Sequence, residues 1–367
     1  MKDYAAFSLI GGLISLIVLG YSGAGAPPQR QVVDVHTHVL PFPGSPGAAS
    51  EASIRQAVEV MDVNGIVKMV DLNGGFGERL KQRIALEQSI APGRFVVFTN
   101  MDHSKINDPQ FSKKAMADLE EAYHLGARGL KVFKSLGLVY RDPAGKLIRF
   151  DDPRFDAVWT KCGELGIPVW FHVGDPAAFF RPPTPDNERY AELKAHPEWS
   201  FYGDQFPARE ELLAQMTGVV LRHPETTFLG VHFGNNPENI RFVAAILDRC
   251  PNFNIDTAAR VGEIGRHDPA RLREFFIKYQ DRILFGSDIV FGPDNMDLGV
   301  PLPGKRTGAD AKEFYDIHWK FFETAARSMD HPSPIQGNWK VNGIELPPEV
   351  LRKFYIENAR RLIPGVR

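Results

Sequence analysis

The sequence predicts a (β/α)8 barrel, on three observations. From Gln31 onward, short β-branched runs alternate with longer stretches of helical period, the pattern of a parallel sheet with crossover helices. Eight such runs spread over roughly 300 residues, the size of one closed barrel. The first run is followed by no Gly-rich phosphate loop, which sets aside an open doubly wound nucleotide fold.

The strands are expected at 32–36, 66–71, 95–99, 129–133, 168–172, 227–232, 252–256 and 283–285. Helices are expected at 51–63, 111–125, 153–165, 209–222, 238–249 and 269–279. Gly65, Gly126 and Gly166 stand where a left-handed residue closes a helix. Two connections, 173–207 and 289–309, are too long to be plain links. Both follow strands, so both should rise from the carboxyl-terminal face, where barrel active sites sit. The first holds Phe179, Phe180, Trp199, Phe201 and Tyr202. A hairpin around Asn342-Gly343 and a closing helix from Pro348 to Leu362 complete the chain.

Residues 1–26 differ from the rest. A short polar start, an apolar run from Ala5 to Gly20 and a small-residue stretch ending Ala24-Gly25-Ala26 have the layout of a secretory signal or an uncleaved N-terminal anchor. The expectation is an exported protein, periplasmic or extracellular, touching a membrane only through that segment. Residues 31–367 are expected to form one domain. A net charge of −2 gives no electrostatic reason to bind nucleic acid, so the expected partner is a small-molecule substrate, with a homodimer as the default assembly. Cys162 and Cys250 fall in outer helices, without the Cys-x-x-Cys spacing of a thiolate zinc site.

The chemistry gathers at strand ends. The first strand runs Val32-Val33-Asp34-Val35-His36-Thr37-His38. Alternation puts His36 and His38 on one side, where two imidazoles can share a metal ion. His172 ends the fifth strand, His232 the sixth, and Gly286-Ser287-Asp288 follows the eighth. In a barrel these ends ring one opening. Neutral imidazoles with a carboxylate suit Zn2+, Mn2+ or Fe2+. Asp175 is placed to orient His172, and Asp256 either faces the opening or caps a helix. Arg181, Arg209 and Arg260 are candidates to grip a substrate carboxylate. His103, His124, His196, His223, His267 and His318 read as surface or capping residues.

These features resemble the amidohydrolase superfamily. Phe285-Gly286-Ser287-Asp288 and the closing Tyr355-Ile356-Glu357-Asn358-Ala359-Arg360-Arg361-Leu362 look like its amidohydrolase-related branch, which includes aminocarboxymuconate-semialdehyde decarboxylase, aromatic-acid decarboxylases and lactonases. The resemblance implies a metal held by His36, His38, His172 and Asp288, zinc first and manganese or iron next. With one ion, the expected number, His232 acts beside Asp288 as an acid or base. With two, Lys131 in Leu130-Lys131-Val132-Phe133 would be carboxylated and bridge them, and His232 would bind the second. The implied reaction is attack by activated water on a small ester, lactone or amide. The alternatives are decarboxylation or hydration of an aromatic or unsaturated acid at the same metal, and a secreted binding protein without catalysis.

Overall fold

The computed structural model describes residues 30–40, 51–174 and 176–366. The N-terminal apolar segment and Asp175 lie outside them. Eight parallel strands form the barrel: β1 (Val32–Val39), β2 (Ile66–Asp71), β3 (Phe95–Val97), β4 (Leu130–Val132), β5 (Val169–Phe171), β6 (Phe228–Gly230), β7 (Phe253–Asp256) and β8 (Ile283–Leu284). They run as two ladders, β1-β2-β3 and β4 through β8. One seam is closed by the parallel pair Thr99–Leu130. The other is closed by Val35 N–H donating to Phe285 C=O at 3.0 Å and Asp288 N–H donating to His36 C=O at 2.8 Å.

Alternation along each strand builds two cores. Val33, Val35, Val70, Phe98, Trp170, Leu229 and Leu284 fill the barrel. Val169, Phe171, Phe228 and Phe253 point outward against helix residues such as Trp159 and Phe276. Strands covered on both faces need apolar residues on both, and each buried large side chain contributes about 1.5–3 kcal/mol.

The expected helices are present, with ends adjusted by a residue or two and Pro153–Phe155 tightened to a 3-10 turn ahead of Asp156–Leu165. Gly65, Gly126 and Gly166 all take positive φ. Two further helices, Glu78–Ile90 and Gly308–Glu323, complete the outer layer. Cys162 and Cys250 are buried and unlinked. No described helix is long and apolar enough to cross a membrane.

Two expectations are corrected. The 289–309 connection, expected to hold no strand, holds two: β9 (Ile289–Phe291) extends the barrel wall beside Thr37–Val39, and β10 (Met296–Leu298) folds back on it. The Asn342-Gly343 segment makes no hairpin with itself. Val341 pairs with Met329, and Gly343, Ile344 and Leu346 donate to Ala326, Phe321 and Phe322, stitching the chain to the end of the Gly308–Glu323 helix. The closing helix forms from Pro348 to Leu362, with a π-helical middle at Lys353–Glu357.

Candidate metal centre

His36 and His38 do face the barrel axis together, but not through simple alternation. Val33 and Val35 already point inward, so strict alternation would turn both histidines out. The β1–β2 register slips between Asp34 and Thr37: Asp34 pairs with Met69, and Thr37 with Asp71. That extra residue is a bulge, and it re-aims the end of the strand. Asp34 points outward and pins the bulge, accepting from His36 N–H at 3.2 Å, Ser287 N–H at 3.0 Å and Tyr315 O–H at 2.7 Å.

The Gly-Ser-Asp run has a reason at each position. A Cβ on Gly286 would lie 2.9 Å from His36 Cβ, so only glycine lets the strands approach this closely. Ser287 Oγ accepts from Ile289 N–H at 3.2 Å. Asp288 takes the left-handed φ of 65° and turns its carboxylate back to the axis. There Asp288 Oδ1 lies 3.3 Å from His36 Nε2 and 3.2 Å from His38 Nε2. Burial pushes the Asp288 carboxyl up, but His36 and His38 outweigh it and hold the group well below the usual range.

Both imidazoles are fixed from behind. His36 Nδ1 meets Asp256 Oδ2 at 2.8 Å, and His38 Nδ1 meets Asn73 Oδ1 at 3.0 Å. With Nδ1–H donated, each ring turns its Nε2 lone pair to the common point, as a metal ligand requires. Burial, then the nearby Lys131 ammonium, lowers the His36 pKa and keeps the ring neutral. Burial raises the Asp256 carboxyl to about 7 against the pull of Lys131. Two buried nitrogens and a carboxylate oxygen thus converge as a divalent ion would need, and these residues can hold one.

His232 follows β6 on a strained turn, with φ of 54° there, 58° at Phe233 and 58° at Asn235. Such non-glycine conformations cluster at functional sites. Its backbone N–H donates to Asp256 Oδ1 at 2.8 Å and its Nδ1 to Ala258 C=O at 2.8 Å. His232 stands 4.9 Å from the His36 ring, and His172 4.3 Å from the His232 ring. His172 lines the same cavity but stands apart from the tight clusters. Among the described residues, the groups with ligand atoms within 4.8 Å of one another are His36–His38–Asp288 and His36–His232–Asp256. Lys131 is buried on β4, its Nζ 5.5 Å from the Phe133 ring centre.

Above these residues opens a cavity of about 680 Å³. Phe179 and Trp199 wall it, as expected of the aromatic connection, together with Phe76 and Tyr140. Phe180 and Phe201 pack on each other instead, and Tyr202 faces solvent. Of the three candidate arginines only Arg260 lines the cavity. Arg181 is exposed and lines a separate surface groove. Arg209 is buried in a structural clamp on Gly174 C=O, Asn235 C=O, Asn236 and Glu238. Sequence reasoning missed Lys134 and Arg189 in the cavity wall. Arg189 is paired with Glu192, one helical turn on, and with Glu263, a partner that no local spacing links. His318 is not a surface residue: it is buried among Phe285, Phe314 and Tyr315. His103 also leaves the surface set, lining the cavity beside Tyr140.

Fold and site together define a (β/α)8 barrel with a histidine–aspartate centre at the carboxyl ends of its strands. The chain belongs to the amidohydrolase family, whose model matches residues 33–365. Among solved structures, its fold is similar to an uncharacterised TIM-barrel protein from Bordetella bronchiseptica (16% identity, TM-score 0.55, 92% of this chain and 99% of that one). It is also similar to 4-oxalomesaconate hydratase from Rhodopseudomonas palustris (17%, TM-score 0.51, 92% and 96%). A third is dihydroxybenzoic acid decarboxylase from Polaromonas sp. with bound manganese (15%, TM-score 0.50, 90% and 96%). No curated protein sequence matches it.

Proposed function

We propose that this protein is a metal-dependent hydrolase that directs activated water at a small ester, lactone or amide. The observation behind this reading is the meeting of His36 Nε2 and His38 Nε2 at one oxygen of Asp288, with both Nδ1 atoms anchored by Asp256 and Asn73. One divalent ion fits there, zinc first and manganese or iron next, with His172 as the proposed fourth ligand. When bound, such an ion supplies Lewis acidity and lowers the pKa of water towards neutrality. Asp288, whose carboxylate lies beside both histidines, would accept the proton of the attacking water. His232, its Nδ1 committed to Ala258 C=O, offers Nε2 to move a proton to or from the leaving group. Lys131, buried on β4 and lining the same cavity, bridges no second ion in this reading. The N-terminal segment exports the protein.

One observation favours a second reading. The cavity combines flat apolar walls, Phe179 and Trp199, with the cations Lys134 and Arg260, which suits a planar carboxylic acid. Decarboxylation or hydration of such an acid would use His232 or Asp288 to move a proton to carbon. A substrate panel on metal-loaded protein separates the two. Hydrolysis of lactones, esters or amides that is lost in Asp288→Asn supports the first. Carbon dioxide release or hydration of unsaturated acids, with no hydrolysis, replaces it with the second. Protein that neither retains metal nor turns over any of these contradicts both.

A further inference from the structure

We infer that Asp256 is a positioning residue: one carboxylate that sets the donor nitrogen of His36 and the backbone posture of His232 together. This inference rests on the reading of His36 as a metal ligand. Asp256 ends β7 and is fully buried. Its Oδ2 contacts His36 Nδ1 at 2.8 Å. Its Oδ1 accepts from His232 N–H at 2.8 Å and Ala258 N–H at 3.2 Å. The same Ala258 then offers its C=O to His232 Nδ1 at 2.8 Å. The ring that would bind the ion and the ring that would move the proton, 4.9 Å apart, therefore hang on one side chain at the end of β7.

The two halves of this arrangement do different work. The Oδ2 contact keeps the proton of His36 on Nδ1 and leaves Nε2 facing His38 and Asp288. A carboxylate behind a ligating imidazole both fixes the tautomer and raises the ligand's basicity, and losing it typically weakens metal binding 10- to 100-fold. The Oδ1 contacts hold His232 in a left-handed conformation that a non-glycine residue resists. Without an acceptor there, the buried His232 and Ala258 N–H groups would be stranded.

Asp256→Asn separates these roles. Turned to keep Oδ1 on the two backbone donors, the amide sets an N–H against His36 Nδ1–H. The expected result is a 10- to 100-fold weaker affinity for Mn2+ or Zn2+ in chelator competition, with near-native circular dichroism. Asp256→Ala removes both sets of contacts and should also lower the melting temperature and shift the His232 ring signals. Nitrogen-15 spectra of the metal-free wild type provide a measurement that depends on no variant: His36 should be the Nδ1–H tautomer. Metal affinity of Asp256→Asn within twofold of wild type, or a His36 ring protonated on Nε2, overturns the inference. Failure of wild-type protein to bind metal defeats the metal-centre reading instead, while the His36 tautomer still decides the role of Asp256.

Discussion

The ring of His38 is held at Nδ1 by the side-chain oxygen of Asn73, 3.0 Å away. Asn73 in turn is fixed by its own backbone N–H, which donates to Asp71 Oδ1 at 3.0 Å. Asp71 also accepts from Val39 N–H at 3.0 Å, so the end of β2 braces the end of β1 directly behind the candidate ligands. Replacing Asn73 by Leu removes the acceptor and frees the His38 ring. Metal affinity should fall about tenfold or more, read by competition with a chelator. Unchanged affinity would mean that packing alone orients His38.

Gly286 tests how closely the β8 end must approach β1. A Cβ there would stand 2.9 Å from His36 Cβ and 3.2 Å from Ala258 Cβ. Gly286→Ala should cost about 1–3 kcal/mol of stability by overpacking and loosen metal retention by displacing His36. Denaturant titration and metal analysis of the same preparation check both effects. A variant with native stability and a full complement of metal would show that the strands have slack.

Ala259 sits just beyond the β7 end with φ of 52°, a conformation that costs a residue with a Cβ about 1–2 kcal/mol. Ala259→Gly relieves that cost but gives the unfolded chain more freedom. The net expectation is a gain of about 0.5–1 kcal/mol in urea unfolding. A loss would show that the Ala259 methyl packs more usefully than its backbone strains.

Much of the fold and part of the site were legible in the residues. Strand order and the strand-end histidines could be found because parallel barrel strands are short apolar runs with the chemistry just past their carboxyl ends. The inward turn of His36 and His38 was legible only in outcome: it depends on a bulge fixed by Asp34, Tyr315 and Ser287 from three separate elements. Asp256 had no local signal, because a strand-end aspartate looks the same whether it caps a helix or backs a histidine. Arg209 and Arg189 show the converse: what decides their roles is a set of partners distant in sequence, Asn235 and Glu238 for one and Glu263 for the other. The 289–309 segment read as a loop because β9 and β10 are three residues each, too short to show alternation.

Acid stability should depend on His318. Burial lowers its pKa to about 4, and its Nδ1 donates to Phe314 C=O at 2.8 Å. The folded-state value lies below the unfolded value of about 6.5, so the unfolded chain binds the extra proton between these limits. Stability is therefore intact above about pH 6.5 and declines as pH falls towards 4, by up to about 3 kcal/mol from this residue. His103, also lowered to about 4 by burial, adds to the decline. Unfolding free energies measured from pH 7 to 4 should fall less steeply in His318→Phe than in wild type. Identical slopes would mean that His318 gains a proton without unfolding the protein.

The most direct measurement counts metal atoms per chain in purified protein, before and after chelation, for wild type and for the His36→Ala/His38→Ala double variant. About one zinc, manganese or iron per wild-type chain is expected, removable by chelator, restored on readdition, and lost in the double variant. Wild-type protein without any such metal, or a double variant that keeps it, would contradict the centre built from His36, His38 and Asp288.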